Sequence, residues 1–207
     1  MGGSHDYERI VTALRMARAD LRSSDRSGKT PLHLAVTHGD KKIVRAFLEA
    51  GADPDARDRR DDSALDLAVT HGHEGMLKVL LAGGADPNAR GRSGYTALHS
   101  AASLGREKIV RALLEAGASI DAKDKDGSTA LSYACNNRTG ASMALFLLER
   151  GADPFLGKGP AISLIEERLK EWQEKKVSGC QRFKVVHDMV KKNYSAEYMD
   201  WWMAPSQ

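Results

Sequence analysis

Apolar residues along the chain follow helical spacing, and this pattern returns every 33 positions. The stretch Thr-Pro-Leu-His-Leu-Ala at 30–35 recurs in related form at 63–68, 96–101 and 129–134. Each copy predicts a short helix, and an apolar stripe with steps of three and four residues, first seen at 43–48, predicts a second helix after it. A fixed period of this length is typical of stacked helix-turn-helix units that bury their apolar faces against one another. We therefore expect a solenoid whose function lies on its surface.

Turn and capping residues divide each unit at the same places. Thr30 can cap the first helix, and Pro31 suits its first position, where no backbone N–H is needed. Gly39 is placed to end that helix in the left-handed conformation that a Cβ would penalise. Asp40 can then cap the second helix. The same order of turn, helix, loop and helix is predicted for all four copies.

This arrangement resembles the ankyrin repeat, whose pattern is followed at most framework positions of residues 25–57 and 91–123. The resemblance implies a mainly α fold, an ankyrin-type α-solenoid of stacked helix-turn-helix repeats joined by β-turn or hairpin fingers. Residues 58–90 depart from the pattern, since Asp61 replaces the turn glycine and Asp66 replaces the motif histidine. Such departures argue against an idealised, designed array.

The period divides the chain into eight segments. The predicted segments are a probable tag remnant at 1–5, an N-terminal half repeat or cap at 6–24, ankyrin repeats at 25–57, 58–90 and 91–123, an ankyrin repeat with an insertion at 124–155, a degenerate C-terminal capping repeat at 156–193, and an aromatic tail at 194–207. The half repeat has two open interpretations, a natural cap or a cut through a longer array.

The last three segments break the rhythm. The extra residue of the 124–155 repeat is predicted within 136–140, in the loop between its two helices. Residues 182–193 are predicted to be the second helix of the capping repeat, whose polar outer face closes the stack against water. The tail that follows is rich in aromatic residues and is expected either to fold back on the capping helices or to bind a partner. The residues of this possible second interface are Tyr198, Trp201 and Trp202.

Charge and cysteine content narrow the class of protein. The 31 basic and 28 acidic side chains give a formal net charge of +3, which makes no strong case for binding nucleic acid. No apolar run approaches the ~20 residues that span a bilayer, so membrane insertion is not expected. Cys135 and Cys180 are far apart in the sequence and lack metal-ligand spacing, which favours two reduced thiols over a disulfide. Reduced thiols in turn favour a cytoplasmic or nuclear location. A monomer is favoured.

The chain carries no recognisable catalytic or cofactor motif, so neither an enzyme nor a bound cofactor or metal is expected. The resemblance implies that His33 and His99 hydrogen-bond neighbouring backbone in a structural role. His38 and His71 lie one period apart, and a two-histidine metal site is the alternative to two solvated loop residues. The resemblance also marks Asn88 as a position where asparagine can be hydroxylated, the alternative being a plain turn residue.

The resemblance places partner binding on the concave surface formed by the turn tips and the inner helices. The predicted partner-binding residues are Arg26, Lys29, Arg59, Arg60, Asp62, His71, Arg92, Ser93, Tyr95, Leu104, Lys125, Asp126 and Asn137. Arginine and tyrosine often anchor interfaces, and Arg57, Arg59, Arg60, Arg90 and Arg92 make the middle of this surface basic. We therefore expect an acidic protein or peptide partner; the alternative is that the arginines are solubilising charge beside Asp58, Asp61 and Asp62.

These features predict a non-catalytic protein–protein interaction module that acts as a scaffold, adaptor or targeting unit. Two alternatives remain open at this point. One is an ankyrin-type enzyme inhibitor, and the other is the interaction segment of a larger enzyme or channel.

Overall fold

The computed structural model describes residues 12, 13, 16, 20–136, 141–153 and 156. Within this part of the chain the secondary structure is helical, apart from one isolated antiparallel bridge between Arg57 and Ser63. The helices are α1 (Pro31–His38), α2 (Lys41–Glu49), α3 (Ala64–His71), α4 (Glu74–Ala82), α5 (Ala97–Ser103), α6 (Glu107–Glu115), α7 (Ala130–Asn136) and α8 (Ala141–Glu149). A single 3₁₀ turn spans Arg92–Gly94.

The helices form two layers. The inner layer contains α1, α3, α5 and α7, each packed against the next, and α2, α4 and α6 pack against one another in the outer layer. Each inner helix also contacts the outer helix that follows it. The predicted mainly α solenoid is therefore confirmed, with one helix pair per 33-residue unit.

Local sequence explains where the helices begin and end. Thr30 is the N-cap of α1, and its backbone N–H donates to Nδ1 of His33 at 3.2 Å. Gly39 ends the helix with φ of 78°, as predicted. The Asp40 carboxylate then accepts hydrogen bonds from the backbone amides of Lys42 and Ile43, which begins α2. Caps of this kind contribute about 1 kcal/mol each.

The core is continuous through the stack because each repeat contributes to it at the same register. Leu32, Leu65, Leu98 and Leu131 lie 33 residues apart, and each is 2% exposed or less. They join one hydrophobic cluster with side chains from the outer helices, such as Leu80 and Leu113. A repeat cannot bury its apolar face alone, so the stacking supplies the stability.

The turn tips are residues 25–29, 58–62, 91–95 and 124–128, all on one edge of the stack. In the second tip Asp61 holds a φ of 69°, a conformation that favours glycine and that Gly28 and Gly127 adopt in the first and fourth. The departure from the family pattern therefore changes the residue and keeps the shape of the turn.

The inserted residue lies between helices. The inner helix of the fourth repeat ends at Asn136 and the outer helix begins at Ala141, which places the additional position among 137–140, outside the described residues. The predicted capping repeat at 156–193 and the tail at 194–207 lie outside them as well, except for Leu156.

Candidate interaction surface

The turn tips carry most of the predicted partner-binding residues at or near the surface. The exposed ones are Arg26, Arg59, Arg60, Arg92, Ser93, Lys125 and Asp126, and the partly exposed ones are Lys29, Asp62 and Tyr95. Asn137, Tyr198, Trp201 and Trp202 lie outside the described residues. Backbone hydrogen bonds join the first tip to the second and the third tip to the fourth. Arg59 N donates to Ser27 O at 3.0 Å, and Lys125 N donates to Ser93 O at 2.9 Å.

The aspartates at the start of three tips accept hydrogen bonds from backbone amides and do not pair with the arginines. Oδ1 of Asp58 accepts from the backbone amides of Arg60, at 2.8 Å, and Asp62, at 3.0 Å. Asp25 and Asp124 make the same two bonds in their own tips. These carboxylates fix the turn and are not the charge partners of the exposed arginines.

The structure separates the five arginines that the sequence groups together. Arg57 donates to the Asp61 carbonyl oxygen at 2.7 Å and lies 3.2 Å from Oδ2 of Asp66. Arg90 donates to the carbonyl oxygens of Gly94 and Lys123. Both guanidinium groups therefore support the backbone.

The other three arginines, Arg59, Arg60 and Arg92, are exposed. Within the described residues, no ion pair involves Arg59, Arg60 or Arg92, and the same holds for Arg26. We call Arg26, Arg59, Arg60 and Arg92 the cationic ridge. Arg60 is also close enough to Asp62 to act on its charge, so the alternative of solubilising charge beside these aspartates stays a prediction alongside ligand binding.

Asp62 lies beside this ridge and carries the opposite charge. Burial and the neighbouring carboxylates of Asp58 and Asp66 raise the pKa of Asp62 above its ordinary value. Because its pKa is raised, Asp62 becomes protonated and loses its negative charge at a higher pH than an ordinary aspartate. Near acidic pH it therefore cancels less of the positive charge of the ridge.

An aromatic cluster follows the ridge at the third and fourth repeats. The ring centroids of Tyr95 and Tyr133 are 4.9 Å apart, and His99 lies 5.5 Å from Tyr95 and 5.8 Å from Tyr133. The Tyr133 hydroxyl donates to Oδ2 of Asp124 at 2.6 Å. Burial and then this hydrogen bond raise the pKa of Tyr133, so its hydroxyl stays protonated. Tyr133 is not among the residues predicted from the sequence, although its position on the inner helix matches that of the exposed Leu34.

The inner helices offer apolar and polar contacts next to the tips. Leu34 and Leu104 are 40% and 49% exposed. His71 is exposed at the end of α3, and its Nδ1 lies 2.7 Å from the Leu67 carbonyl oxygen. Among the described residues, no three His, Cys, Asp or Glu side chains form a group that could hold a metal ion.

His33 and His99 have the structural role that the resemblance implies. Nδ1 of His99 accepts from the Thr96 backbone N–H at 3.1 Å, so the proton of the neutral ring lies on Nε2. That Nε2 donates to the Ser128 carbonyl oxygen in the next repeat. His33 makes the equivalent bonds with Thr30 and Asp62.

A second link between repeats runs along the loops that follow the outer helices. Oδ1 of Asn88 accepts from Ser119 N at 2.7 Å, and its Nδ2 donates to the Gly117 carbonyl oxygen at 3.0 Å. Asp55 and Asp121 occupy the equivalent places in their repeats and accept backbone amides of the following loop. Asn88 is therefore an inter-repeat clamp, whether or not it is also modified.

A family comparison agrees with this geometry. The family model described as ankyrin repeats (3 copies) matches residues 3–91 and 83–156. The chain belongs to the ankyrin repeat family, whose members generally serve as protein–protein interaction modules and are typically non-catalytic. No curated protein matches the chain.

Two further observations concern the helix lengths and the cysteines. None of the helices in the described residues is long and apolar enough to cross a bilayer. Cys135 is a buried thiol in α7, and Cys180 lies outside the described residues.

Proposed function

We propose that this chain is a non-catalytic scaffold, adaptor or targeting module that binds an acidic segment of a partner protein across the cationic ridge. The observation that carries this proposal is that Arg59, Arg60 and Arg92 are exposed and in no ion pair within the described residues. Exposed guanidinium groups bind carboxylates in two-pronged geometry, which gives an acidic ligand both affinity and orientation.

The spacing of the ridge indicates the form of the ligand. Packed helices lie about 8–10 Å apart, and an extended chain rises about 3.3 Å per residue. An extended peptide therefore crosses one repeat in about three residues. Carboxylates at that interval would meet the arginines of successive tips.

The aromatic cluster adds a second kind of contact. Tyr95 is partly exposed and is held in place by Tyr133, which Asp124 fixes in turn. A rigid aromatic side chain loses little entropy on binding, so it suits an apolar residue beside the acidic ones. The exposed Leu104 extends the apolar surface on the same inner helix layer.

A binding titration tests the proposal on the intact chain. The probe is a labelled peptide of about twelve residues with glutamate at every third position, long enough to cross all four tips. The variant Arg59→Ala, Arg60→Ala, Arg92→Ala should weaken binding about tenfold, because each exposed pair is worth up to about 1 kcal/mol. The affinity of the unmodified chain should also fall as salt is added.

A control variant removes the same charge from the opposite face. Lys41, Lys42 and Arg45 are exposed on the outer helix α2, and changing all three to alanine should leave peptide binding unchanged. Equal loss in the two variants would show a general charge effect, and no loss in the ridge variant would overturn the proposal. The thermal unfolding curves of both variants should match that of the parent chain, which shows that any change in binding is not caused by unfolding.

Other parts of the proposal follow the same reasoning. The low cysteine content, two residues without metal-ligand spacing, is typical of a reducing compartment, so we propose the cytoplasm or the nucleus. We retain a monomer as the expected oligomeric state.

A further inference from the structure

Ser93 lies at the apex of the third tip and is exposed. Its backbone φ of 59° is in the left-handed region, which is uncommon for a residue that has a side chain. Within the described residues no hydrogen bond involves its hydroxyl. This hydroxyl is therefore presented to solvent on the protruding edge of the stack.

Two arginines precede Ser93 at positions that a serine kinase can recognise. Arg90 stands three residues before it and Arg92 one residue before it, and both are exposed. Kinases select substrates by charge pattern, and an acidic subsite of the enzyme pairs with an arginine at a fixed distance from the acceptor serine. In the folded chain Arg90 donates to the carbonyl oxygens of Gly94 and Lys123, so the tip must open locally for a kinase to bind it.

The turn of the third tip lacks the aspartate that holds the other three. Gly91 stands where Asp25, Asp58 and Asp124 each accept two backbone amides. As a consequence, the Ser93 amide has no hydrogen bond within the described residues, and none there joins this tip to the second. Segments with few such bonds open locally at a small free-energy cost, which suits an enzyme that binds an extended substrate.

A phosphate on Ser93 would lie in the middle of the cationic ridge. Arg92 is the preceding residue, and Arg60 has the same position in the preceding tip, about one helix spacing of 8–10 Å away. On the other side, Lys125 and Asp126 of the fourth tip carry opposite charges. A phosphoserine has a charge of about −1.5 to −2 at neutral pH, and its oxygens accept hydrogen bonds from guanidinium groups. It would therefore offset about half of the positive charge of the ridge.

We infer that Ser93 is a phosphorylation site for an arginine-directed serine kinase, and that its phosphate pairs with the ridge arginines and so excludes an acidic partner. In the transfer, the Ser93 oxygen attacks the γ-phosphorus of ATP and the bond from that phosphorus to the ADP oxygen breaks. The hydroxyl proton passes to a carboxylate base of the kinase, and the products are phosphoserine and ADP. The exclusion of a partner rests on the proposed function, because it acts on the same ridge.

Phosphorylation of the intact chain tests the site. The probe is ATP with a purified serine kinase that selects arginine three residues before the acceptor, and mass spectrometry locates the phosphate. Ser27 is the matched control, since it has the same place in the first tip and an arginine before it, but has Ser24 three residues before it. We expect Ser93 to be modified at least about tenfold faster than Ser27.

A synthetic peptide of residues 86–98 confirms that the kinase is active. With an active kinase, an unmodified Ser93 in the intact chain would overturn the inference. Equal rates at Ser93 and Ser27 would also overturn it, because neither the arginine pair nor the missing aspartate would then matter.

Peptide binding measures the consequence of the modification. Phosphorylation should weaken binding of the glutamate peptide about tenfold, because the phosphate pairs with Arg60 and Arg92 and repels the carboxylates of the peptide. The variant Ser93→Ala, treated with the same kinase, should retain the affinity of the parent chain. Equal affinity of the modified and unmodified parent chains would overturn the inference and leave the proposed function standing.

A titration of the phosphate tests the inference even when no peptide binds. The second pKa of a free phosphoserine is about 6, and neighbouring guanidinium groups should lower it, which phosphorus NMR of the modified chain measures. Arg60→Ala should raise this pKa again, whereas Arg45→Ala on the outer helix α2 should leave it unchanged. A phosphate pKa that does not respond to Arg60 would overturn the inference. A response to Arg60 without peptide binding in any variant would support the phosphate site and remove the proposed function.

Discussion

Nε2 of His99 donates a hydrogen bond to the carbonyl oxygen of Ser128 at 3.2 Å and so joins the third repeat to the fourth. His33 joins the first repeat to the second in the same way, through the carbonyl oxygen of Asp62. The second repeat has Asp66 at this position, and a carboxylate cannot donate the equivalent bond. Its Oδ2 instead accepts from Ser63 and Arg57. At the tip edge, no hydrogen bond within the described residues joins residues 58–63 to residues 91–96.

Loss of the His99 side chain should destabilise the stack. His99 is fully buried, and both ring nitrogens are hydrogen-bonded. We expect His99→Ala to lower the free energy of unfolding by about 2–4 kcal/mol, from the cavity and the unpaired Thr96 and Ser128 groups. Urea denaturation followed by circular dichroism measures this. His71→Ala is the control, because that ring is exposed, and a similar loss there would contradict the assignment.

Acid should weaken the same contact. Burial lowers the pKa of His99 below its ordinary value, so the folded chain holds this ring neutral. The stabilisation is fully present above the unfolded-state pKa of about 6.5 and is lost as pH falls from there through the folded-state pKa. The unfolding free energy of the parent chain, measured from about pH 7.5 to 4.5 in steps of about half a unit, should decline as the pH falls. The decline should be smaller in His99→Gln, which lacks the titrating ring. An identical slope in the two proteins would refute this account.

Asp66→His should add the missing link between the second and third repeats. The new Nε2–H can donate to the Tyr95 carbonyl oxygen, which now accepts only from Gly91 N in this part of the chain. One hydrogen bond is usually worth about 0.5–1.5 kcal/mol, and because Arg57 loses its carboxylate partner we expect a net gain at the low end of that range. Backbone exchange gives a second measurement, since Arg92 N should exchange faster than Arg59 N and Lys125 N in the parent chain. Equal exchange of the three amides would show that the second and third tips are as firmly joined as the others.

Asn88 should provide much of the hydrogen bonding that joins the second repeat to the third. Its two hydrogen bonds, to Gly117 and Ser119, link the second repeat to the third on the loop side. Asn88→Ala should therefore cost about 1–2 kcal/mol of unfolding free energy. Asn88→Asp retains the acceptor that Asp55 and Asp121 use in the other repeats, so it should cost less. Thermal unfolding of both variants measures the difference, and an equal loss would assign the effect to the donor alone.

Much of this fold follows from the sequence. The 33-residue period predicts the number of helix pairs, and Thr30, Gly39 and Asp40 predict the ends of the first two helices. These features are local, because a cap or a left-handed glycine depends on a few neighbouring residues. The structural role of His33 and His99 came from the family resemblance, and the contacts confirm it.

The candidate binding surface was predicted only in part. Sequence position alone groups Arg57 and Arg90 with Arg59, Arg60 and Arg92. The structure shows that the first two donate to backbone carbonyls, whereas Arg59, Arg60 and Arg92 are exposed and form no ion pair within the described residues. Arg57 and Arg90 each meet a carbonyl four residues along the chain, in the tip that follows, and Arg90 also meets the Lys123 carbonyl one period away.

The sequence by itself determined the architecture of this protein, since its period, caps and apolar stripe act within single repeats. The tertiary structure decided which charges remain available, that Tyr133 stacks on Tyr95, and that Asp66 leaves the second and third tips without the histidine link. The Tyr95–Tyr133 contact and the bond from Arg90 to the Lys123 carbonyl join positions about one period apart. Such partners are set by how the repeats stack, because no single repeat contains both groups.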